Sequence, residues 1–219
     1  MEEQFKPTTN SSELFSSEDQ KEYYKNLIEK EQEKLKEFFL HYLPTEFHPK
    51  NIMSFCCGVA NEEPVLRELY GDNVSLVSFD HSEHMIQIVE DLSIERKSLI
   101  KLDMKEMDDY FKNAKFDLLL GRNIPINPNH QSNYFHHNEK YPDDWPQFLE
   151  NFKKYLESNG YLLMTFARED EFERAEELLK KLKYNIIIQE KNGIVIPSDR
   201  IGIAGAGVKD NYVIKVNLP

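Results

Sequence analysis

The residues best suited to chemistry follow short apolar runs, and the first such group is Cys-Cys-Gly-Val-Ala-Asn-Glu at residues 56–62. Small side chains there let a ligand approach the backbone, and the helical pattern that follows would present free N–H groups to an anion. Asp80 ends the next apolar run, twenty-two positions after Gly58. A carboxylate about 20 residues beyond such a loop meets ribose hydroxyls in nucleotide-binding folds. This spacing predicts a site for a nucleoside-containing ligand, and the alternative is that Asp80 only caps the end of its strand.

Two more polar groups end the third and fourth apolar runs. They are Asp103-Met104 and Gly-Arg-Asn-Ile-Pro at residues 121–125. Ligands of open α/β sheets bind beyond the carboxyl ends of the strands, so these groups belong to the same predicted site. Asp103 has an alternative interpretation, because it could cap a helix that begins at Lys105.

The first group contains a single glycine, Gly58. Dinucleotide folds use three, because the pyrophosphate lies against the backbone. A nicotinamide cofactor is therefore disfavoured. A nucleoside that carries a carboxylate instead of a pyrophosphate tolerates Cys and Ala better, and S-adenosylmethionine is such a molecule. We expect Cys56 and Cys57 to behave as small buried hydrophobes rather than as nucleophiles.

Residues 123–145 carry three of the seven histidines, two tyrosines and the only tryptophan. Loops of this length are uncommon and often functional. His136, His137 and Tyr134 are candidate proton acceptors for a substrate. Metal ligation and a solvated surface are the alternatives. Because no carboxylate–histidine spacing typical of metal sites is present, we expect no metal.

From residue 51 onward, short apolar runs alternate with amphipathic segments, which predicts βαβ units and a mainly parallel sheet. The predicted strands are NIMSF, VSLVSF, LIKL, FDLLL, YLLMTF, YNIIIQ and NYVIKVN. Helices are predicted near residues 61–70, 82–92, 105–111, 145–156 and 171–182. Only a loop with Gly and Pro, residues 191–210, separates the last two strands, so they could pair as an antiparallel hairpin.

The chain before the sheet divides into an arm and a helix. Residues 1–16 are polar and predict a flexible arm. A helix begins near Ser17, which has capping-box spacing to Gln20, and Pro44 stops it. We therefore expect one domain over residues 17–219, with a helical cap at residues 17–44 and the sheet core at residues 51–219.

Composition excludes several classes of function. Lys and Arg number 27 against 39 Asp and Glu, a net charge of −12, which disfavours nucleic acid or anionic lipid as a partner. No run approaches the roughly 18 apolar residues of a membrane helix. The two cysteines are too few for a disulfide framework or a structural zinc site. With no signal-peptide pattern at the N-terminus, we expect a cytoplasmic protein.

The ordered motifs resemble those of class I S-adenosylmethionine-dependent methyltransferases. IMSFCCGVANEE stands at the place of the family's first motif, a hydrophobic strand, an acid and a Gly-x-Gly-x-Gly turn. VSFDHSEHMI resembles the second motif, LIKLDMKEM the third, FDLLLGRNIP the fourth, and NFKKYLESNGYLLMTF the helix and fifth strand that follow. Ser54 stands where the family often has an acid, and Cys56 and Ala60 replace two glycines. The resemblance implies a Rossmann-like, seven-stranded sheet with helices on both faces and an antiparallel last strand.

The resemblance also implies site residues. Gly58 and its neighbours would meet the methionine part of the cofactor, Asp80 the ribose hydroxyls, and Asp103 the adenine amino group, with Met104 covering the ring. Arg122 and Asn123 would border the methyl group and the substrate. The full set of cofactor-binding candidates is Cys56, Cys57, Gly58, Ala60, Asp80, His81, Asp103, Met104, Arg122 and Asn123.

Two functions are compatible with these residues. The first is a methyltransferase that acts on a small molecule or a protein side chain. The alternative is a catalytically silent module that binds S-adenosylmethionine or a nucleoside in a regulatory role, which the altered first motif favours. We further expect the N-terminal helix around Tyr23 and Tyr24 and the segment at residues 123–145 to cover the methyl-donating end of the site.

Overall fold

The computed structural model describes residues 18–126, 144–199 and 207–219, which contain seven strands and six α-helices. The strands are β1 (Asn51–Phe55), β2 (Ser75–Asp80), β3 (Leu99–Lys101), β4 (Phe116–Gly121), β5 (Leu156–Phe166), β6 (Asn185–Asp199) and β7 (Gly207–Asn217). The helices are α1 (Glu18–Tyr42), α2 (Glu62–Tyr70), α3 (Glu83–Asp91), α4 (Met107–Phe111), α5 (Trp145–Tyr155) and α6 (Glu169–Lys181), with a 3-10 turn (Met104–Glu106) before α4. The predicted arm at residues 1–16 lies outside the described residues.

The seven strands form one sheet in the order β3-β2-β1-β4-β5-β7-β6. Strands β1 to β5 pair in parallel, whereas β7 runs antiparallel to both β5 and β6. The predicted Rossmann-like α/β fold with its reversed last strand is therefore confirmed. The strand order changes direction between β1 and β4, and ligands of open sheets bind in the crevice at that point, beyond the carboxyl ends of the strands.

The hairpin of β6 and β7 is longer than the sequence predicted. β6 continues to Asp199 and β7 begins at Gly207, so most of the residues predicted as a loop at 191–210 belong to strands. Pro197 stands opposite Lys209 in this ladder. A proline is tolerated there because β6 is the outermost strand of the sheet, where a missing N–H costs no ladder bond on the open side.

Helices cover both faces of the sheet. On one face the second half of α1 packs with α2 over β1 and β4, and the buried residues of α1 include Leu35, Phe38 and Tyr42. On the other face α4, α5 and α6 cover a larger apolar cluster that includes Phe152 and Phe172. None of the helices in the described ranges is both long and apolar enough to span a membrane.

Candidate functional site

The loop between β1 and α2 has left-handed backbone at every second position. The φ angles of Cys56, Gly58 and Ala60 are 52°, 58° and 53°. These are the three positions at which the first motif calls for glycine. A left-handed conformation costs a residue with a Cβ roughly 1–2 kcal/mol, so Cys56 and Ala60 each bear a backbone strain that Gly58 does not. The loop keeps the backbone shape of the motif although two of its glycines are replaced.

The space beside Gly58 is open with respect to the described residues. Among them, a Cβ built on Gly58 would find one atom within contact range, Sδ of Met85 at 4.0 Å. The Gly58 N–H donates to Oδ2 of Asp80 at 2.9 Å. The loop therefore presents bare backbone beside the Asp80 carboxylate, and the role of this carboxylate towards ribose hydroxyls stays a prediction.

The Asp80 carboxylate joins two elements of the site. Its Oδ2 holds the Gly58 N–H, while its Oδ1 accepts the Ser82 N–H at 2.9 Å, just before α3 begins. His81 follows with its Nδ1 3.6 Å from the same Oδ1 and a side chain that is 57% exposed. Asp80 is only 8% exposed, so it acts as a structural tie between β1, β2 and α3 whatever else it binds.

Asp103 and Met104 lie beside the loop, at the end of β3. The Asp103 Oδ1 accepts the Lys105 N–H at 2.9 Å, and the Asp103 N–H donates to Oε2 of Glu106, which makes a capping box. Asp103 therefore caps the helical turn that follows it, which is the alternative interpretation given above. The Met104 Sδ lies 3.6 Å from Sγ of Cys56, so the structure brings these two predicted site residues together.

Both thiols of the loop are held in the protonated form. Burial raises the pKa of Cys56 and Cys57 above the usual value, and nearby carboxylates raise the pKa further, Asp80 and Asp103 for Cys56, and Glu62 for Cys57. A thiolate is the nucleophilic form of cysteine. That these cysteines are not nucleophiles stays a prediction, which the raised pKa of both thiols favours.

Arg122 and Asn123 leave β4 at the same end of the sheet. The backbone there is tightly packed, since a Cβ on Gly121 would overlap the ring of Phe55. Asn123 has a φ of 49°, and its N–H donates to Oγ1 of Thr165 at 3.1 Å. Arg122 turns towards α1 and α2, and its side chain is only 9% exposed.

Two carboxylates surround Arg122, and the sequence did not connect either of them with this residue. Glu31 of α1 accepts from Nη2 of Arg122 at 2.6 Å, and Oε2 of Glu62 lies 3.7 Å from Nη1. Glu62 directly follows the loop, so its position could have suggested a role. Glu31 stands among the apolar residues Ile28 and Leu35 at helical spacing, and a carboxylate on a buried helix face is the signal that could have identified it.

Arg96 is a further missed residue that holds the loop. Its Nε donates to the carbonyl oxygen of Val59 at 3.1 Å, and its Nη2 donates to Oδ1 of Asn61 at 3.2 Å. Burial lowers the pKa of Arg96, while Glu62 and Glu63 act in the opposite direction. Arg96 therefore fixes the second half of the loop from the side of β3.

The candidate proton acceptors Tyr134, His136 and His137 lie outside the described residues. The two ends of their segment do meet, because the Trp145 Nε1–H donates to the carbonyl oxygen of Pro125 at 2.8 Å. The segment thus leaves and returns near the end of β4.

Helix α1 contacts the loop through residues that lie further towards its C-terminal end than the expected Tyr23 and Tyr24. Tyr23 is 59% exposed, and the side chain of Tyr24 lies outside what the structure describes. Contact is made further along, where Ile28 packs in an apolar cluster with Val59 and Met85.

These features agree with a match to a known family. A family model described as a methyltransferase domain matches residues 27–192, which is most of the chain. The chain therefore belongs to the methyltransferase domain family. The predicted resemblance to class I S-adenosylmethionine-dependent methyltransferases is confirmed.

Solved structures share the fold at low sequence identity. A S-adenosylmethionine-dependent methyltransferase from Clostridium acetobutylicum ATCC 824 has a TM-score of 0.55 and 12% identity, covering 87% of this chain and 92% of that one. The plantazolicin methyltransferase BpumL, solved with S-adenosylhomocysteine, has a TM-score of 0.53 and 15% identity, covering 94% and 93%. Aeropyrum pernix fibrillarin with bound S-adenosylmethionine has a TM-score of 0.51 and 13% identity, covering 80% and 68%. No curated protein sequence matches the chain significantly.

The family uses S-adenosylmethionine, as the sequence predicted. The residues present fit this cofactor. The bare backbone at Gly58 leaves room for a ligand, and the Asp80 carboxylate lies next to it. Asp103 and Met104 stand at the end of β3, beside the same loop.

Proposed function

We propose that the chain transfers the methyl group of S-adenosylmethionine to a small molecule or a protein side chain. The observation that carries the proposal is the loop at residues 56–60, with three left-handed residues and Gly58 tied to Asp80. The family and its cofactor support it. When bound, the cofactor supplies an activated methyl group on a positively charged sulfur.

In this proposal the residues after β1, β2 and β3 hold the nucleoside. Asp80 accepts from the ribose hydroxyls, Asp103 accepts from the adenine amino group, and Met104 covers the ring. The pairing of β2 with β3 supports this assignment. Asp80 lies opposite Lys101, and Asp103 follows Lys101 by two residues, so both carboxylates stand at the same end of the sheet. The 3.6 Å distance between the sulfur atoms of Met104 and Cys56 puts Met104 beside the loop.

Residues after β4 face the methyl-donating end. Methyl transfer is an in-line displacement, so the protein contributes mainly by positioning the acceptor and excluding water. Arg122 and Asn123 border this end of the site. If the acceptor must lose a proton, Tyr134, His136 or His137 would accept it.

The chemical class of the acceptor is argued from the charge of the chain. The net charge of −12 disfavours a large nucleic acid as the substrate, because it weakens attraction to phosphate. The fibrillarin structure shares only the fold at 13% identity, which carries no information about this chain's substrate. We therefore retain a small molecule or a protein side chain, acting in the cytoplasm.

A silent cofactor-binding module is the second candidate function. Cys56 favours the silent module, because its side chain stands where the motif has glycine and its sulfur contacts Met104. The side chain therefore occupies space that a glycine would leave empty. An enzyme and a silent module differ in turnover, not in binding.

The test combines calorimetry with a turnover assay. We expect S-adenosylmethionine to bind the wild-type chain, Asp80→Asn to weaken binding, and Asp109→Asn on the exposed face of α4 to leave it unchanged. Formation of S-adenosylhomocysteine with a panel of small molecules and peptides would support the enzyme. Binding without turnover on any acceptor would favour the silent module, and no binding by a folded wild-type chain would contradict both.

A further inference from the structure

One carboxylate of α1 connects two separate parts of the candidate site. Oε1 of Glu31 accepts from Nη2 of Arg122 at 2.6 Å, and Oε2 accepts from Nδ2 of Asn61 at 2.7 Å. Asn61 ends the loop after β1, and Arg122 is the first residue after β4. Glu31 is 7% exposed, so both hydrogen bonds are shielded from water. The two strand ends that border the crevice are thus joined through a residue of the N-terminal helix.

Arg122 stands between two carboxylates that compete for it. Glu31 holds its guanidinium at hydrogen-bond distance, whereas Oε2 of Glu62 is 3.7 Å away. Glu62 is fully buried, and its Oε1 accepts from the hydroxyl of Ser54. Its Oε2 accepts no hydrogen bond from any residue that the structure describes.

Buried carboxylates are costly without a partner, so Glu62 attracts the same guanidinium. Burial raises the pKa of Glu62, and the charge of Arg122 opposes that rise. If the charge of Glu31 is removed, Glu62 becomes the dominant anion beside Arg122. The guanidinium would then move from the position of Glu31 towards Glu62.

The attachment of α1 to the sheet does not depend on Glu31. Leu35, Phe38 and Tyr42 of α1 are at most 1% exposed and pack over the sheet. The Lys215 Nζ also donates to the carbonyl oxygen of Tyr42 at 2.7 Å. A substitution at Glu31 should therefore disturb the site while the helix stays in place.

We propose that Glu31 is a positioning residue of the methyl-donor site, which acts by holding Arg122 and Asn61 where the cofactor needs them. The inference rests on the proposed function, since it assumes that the crevice beside Gly58 binds S-adenosylmethionine. It makes α1 a part of the site and not only a cover for the sheet.

The test is calorimetric titration of S-adenosylmethionine into four chains at a temperature far below melting. Glu31→Gln removes the charge at nearly constant shape, and we expect it to weaken binding about tenfold. Glu31→Asp keeps the charge and should recover part of that loss. Glu37→Gln is the matched control on the same helix, because Glu37 is exposed and pairs only with Lys34 among its described contacts. It should bind as the wild type does.

A double variant tests whether Glu31 acts through Arg122. Arg122→Lys keeps a positive charge but loses the planar fork of donors. We expect Glu31→Gln to add little to the loss already caused by Arg122→Lys. Full additivity of the two losses, or wild-type affinity in Glu31→Gln with only a lower melting temperature, would overturn the inference. Absence of binding in the wild type would instead overturn the proposed function and this inference with it.

Discussion

Replacing Asp80 should reduce the stability of the protein as well as its affinity for the cofactor. The carboxylate accepts two backbone hydrogen bonds at 2.9 Å, from Gly58 and from Ser82, in a nearly buried position. Asp80→Ala removes the acceptor for both. The loop after β1 and the start of α3 would lose the group that ties them together.

The size of the effect follows from these two bonds. A hydrogen bond to a charged group contributes roughly 1.5–3 kcal/mol, and water can replace part of the loss at the edge of the site. We expect Asp80→Ala to lower the free energy of unfolding by about 2–4 kcal/mol. For a chain of this length each kcal/mol lowers the melting temperature by about 2–4 °C. Asp80→Asn keeps one acceptor oxygen and should lose about half as much.

The assay is urea denaturation followed by circular dichroism, with Asp103→Ala as the control. Asp103 also caps a helical turn, but it is exposed, and an exposed cap contributes roughly 1 kcal/mol. The reasoning is refuted if Asp80→Ala costs no more stability than Asp103→Ala. That result would mean that the loop keeps its shape without the carboxylate.

Three further outcomes are expected. Gly121→Ala should lower the free energy of unfolding by roughly 1–3 kcal/mol, because its Cβ would overlap the Phe55 ring; an unchanged urea midpoint would contradict this packing. Cys56 and Cys57 should react with a thiol reagent at neutral pH only after unfolding, because burial raises the pKa of both thiols. Fast reaction of the native chain would contradict this prediction. Stability should fall between pH 10 and about 12, because burial raises the pKa of Tyr70 from 10.0 to about 12 and the native state then holds a proton that the unfolded chain has lost. A Tyr70→Phe variant should show a weaker fall in that range, and an identical pH profile would argue against the assignment.

Much of the sheet is predictable because local pattern determines it. The alternation of apolar runs with amphipathic segments identified all seven strands of the described residues, and the residue types after β1 to β4 predicted where a ligand would bind. The loop at residues 56–60 shows why this works even with imperfect motifs. The backbone keeps its left-handed shape at Cys56 and Ala60 although both residues carry a Cβ, so the loop tolerates the strain of replacing two glycines.

What the sequence could not show depends on contacts between distant segments. Glu31 and Arg122 are separated by 91 positions, and nothing local indicates that they pair. The length of β6 was underestimated for a related reason, since Pro197 indicates a loop unless the strand is known to lie at the sheet edge. Asp80 was expected to serve a ligand, and its structural bonds to Gly58 and Ser82 became visible only with the loop in place.

The most direct test of the account is a titration of the isotope-labelled protein with S-adenosylmethionine, followed by amide NMR. In the proposed site the cofactor lies against the backbone of residues 56–60 and beside Asp80. We therefore expect the largest shifts in the amide signals of Cys56 to Ala60 and of the residues just after β2, β3 and β4. Binding that leaves the Gly58 amide unchanged and shifts signals elsewhere would contradict it.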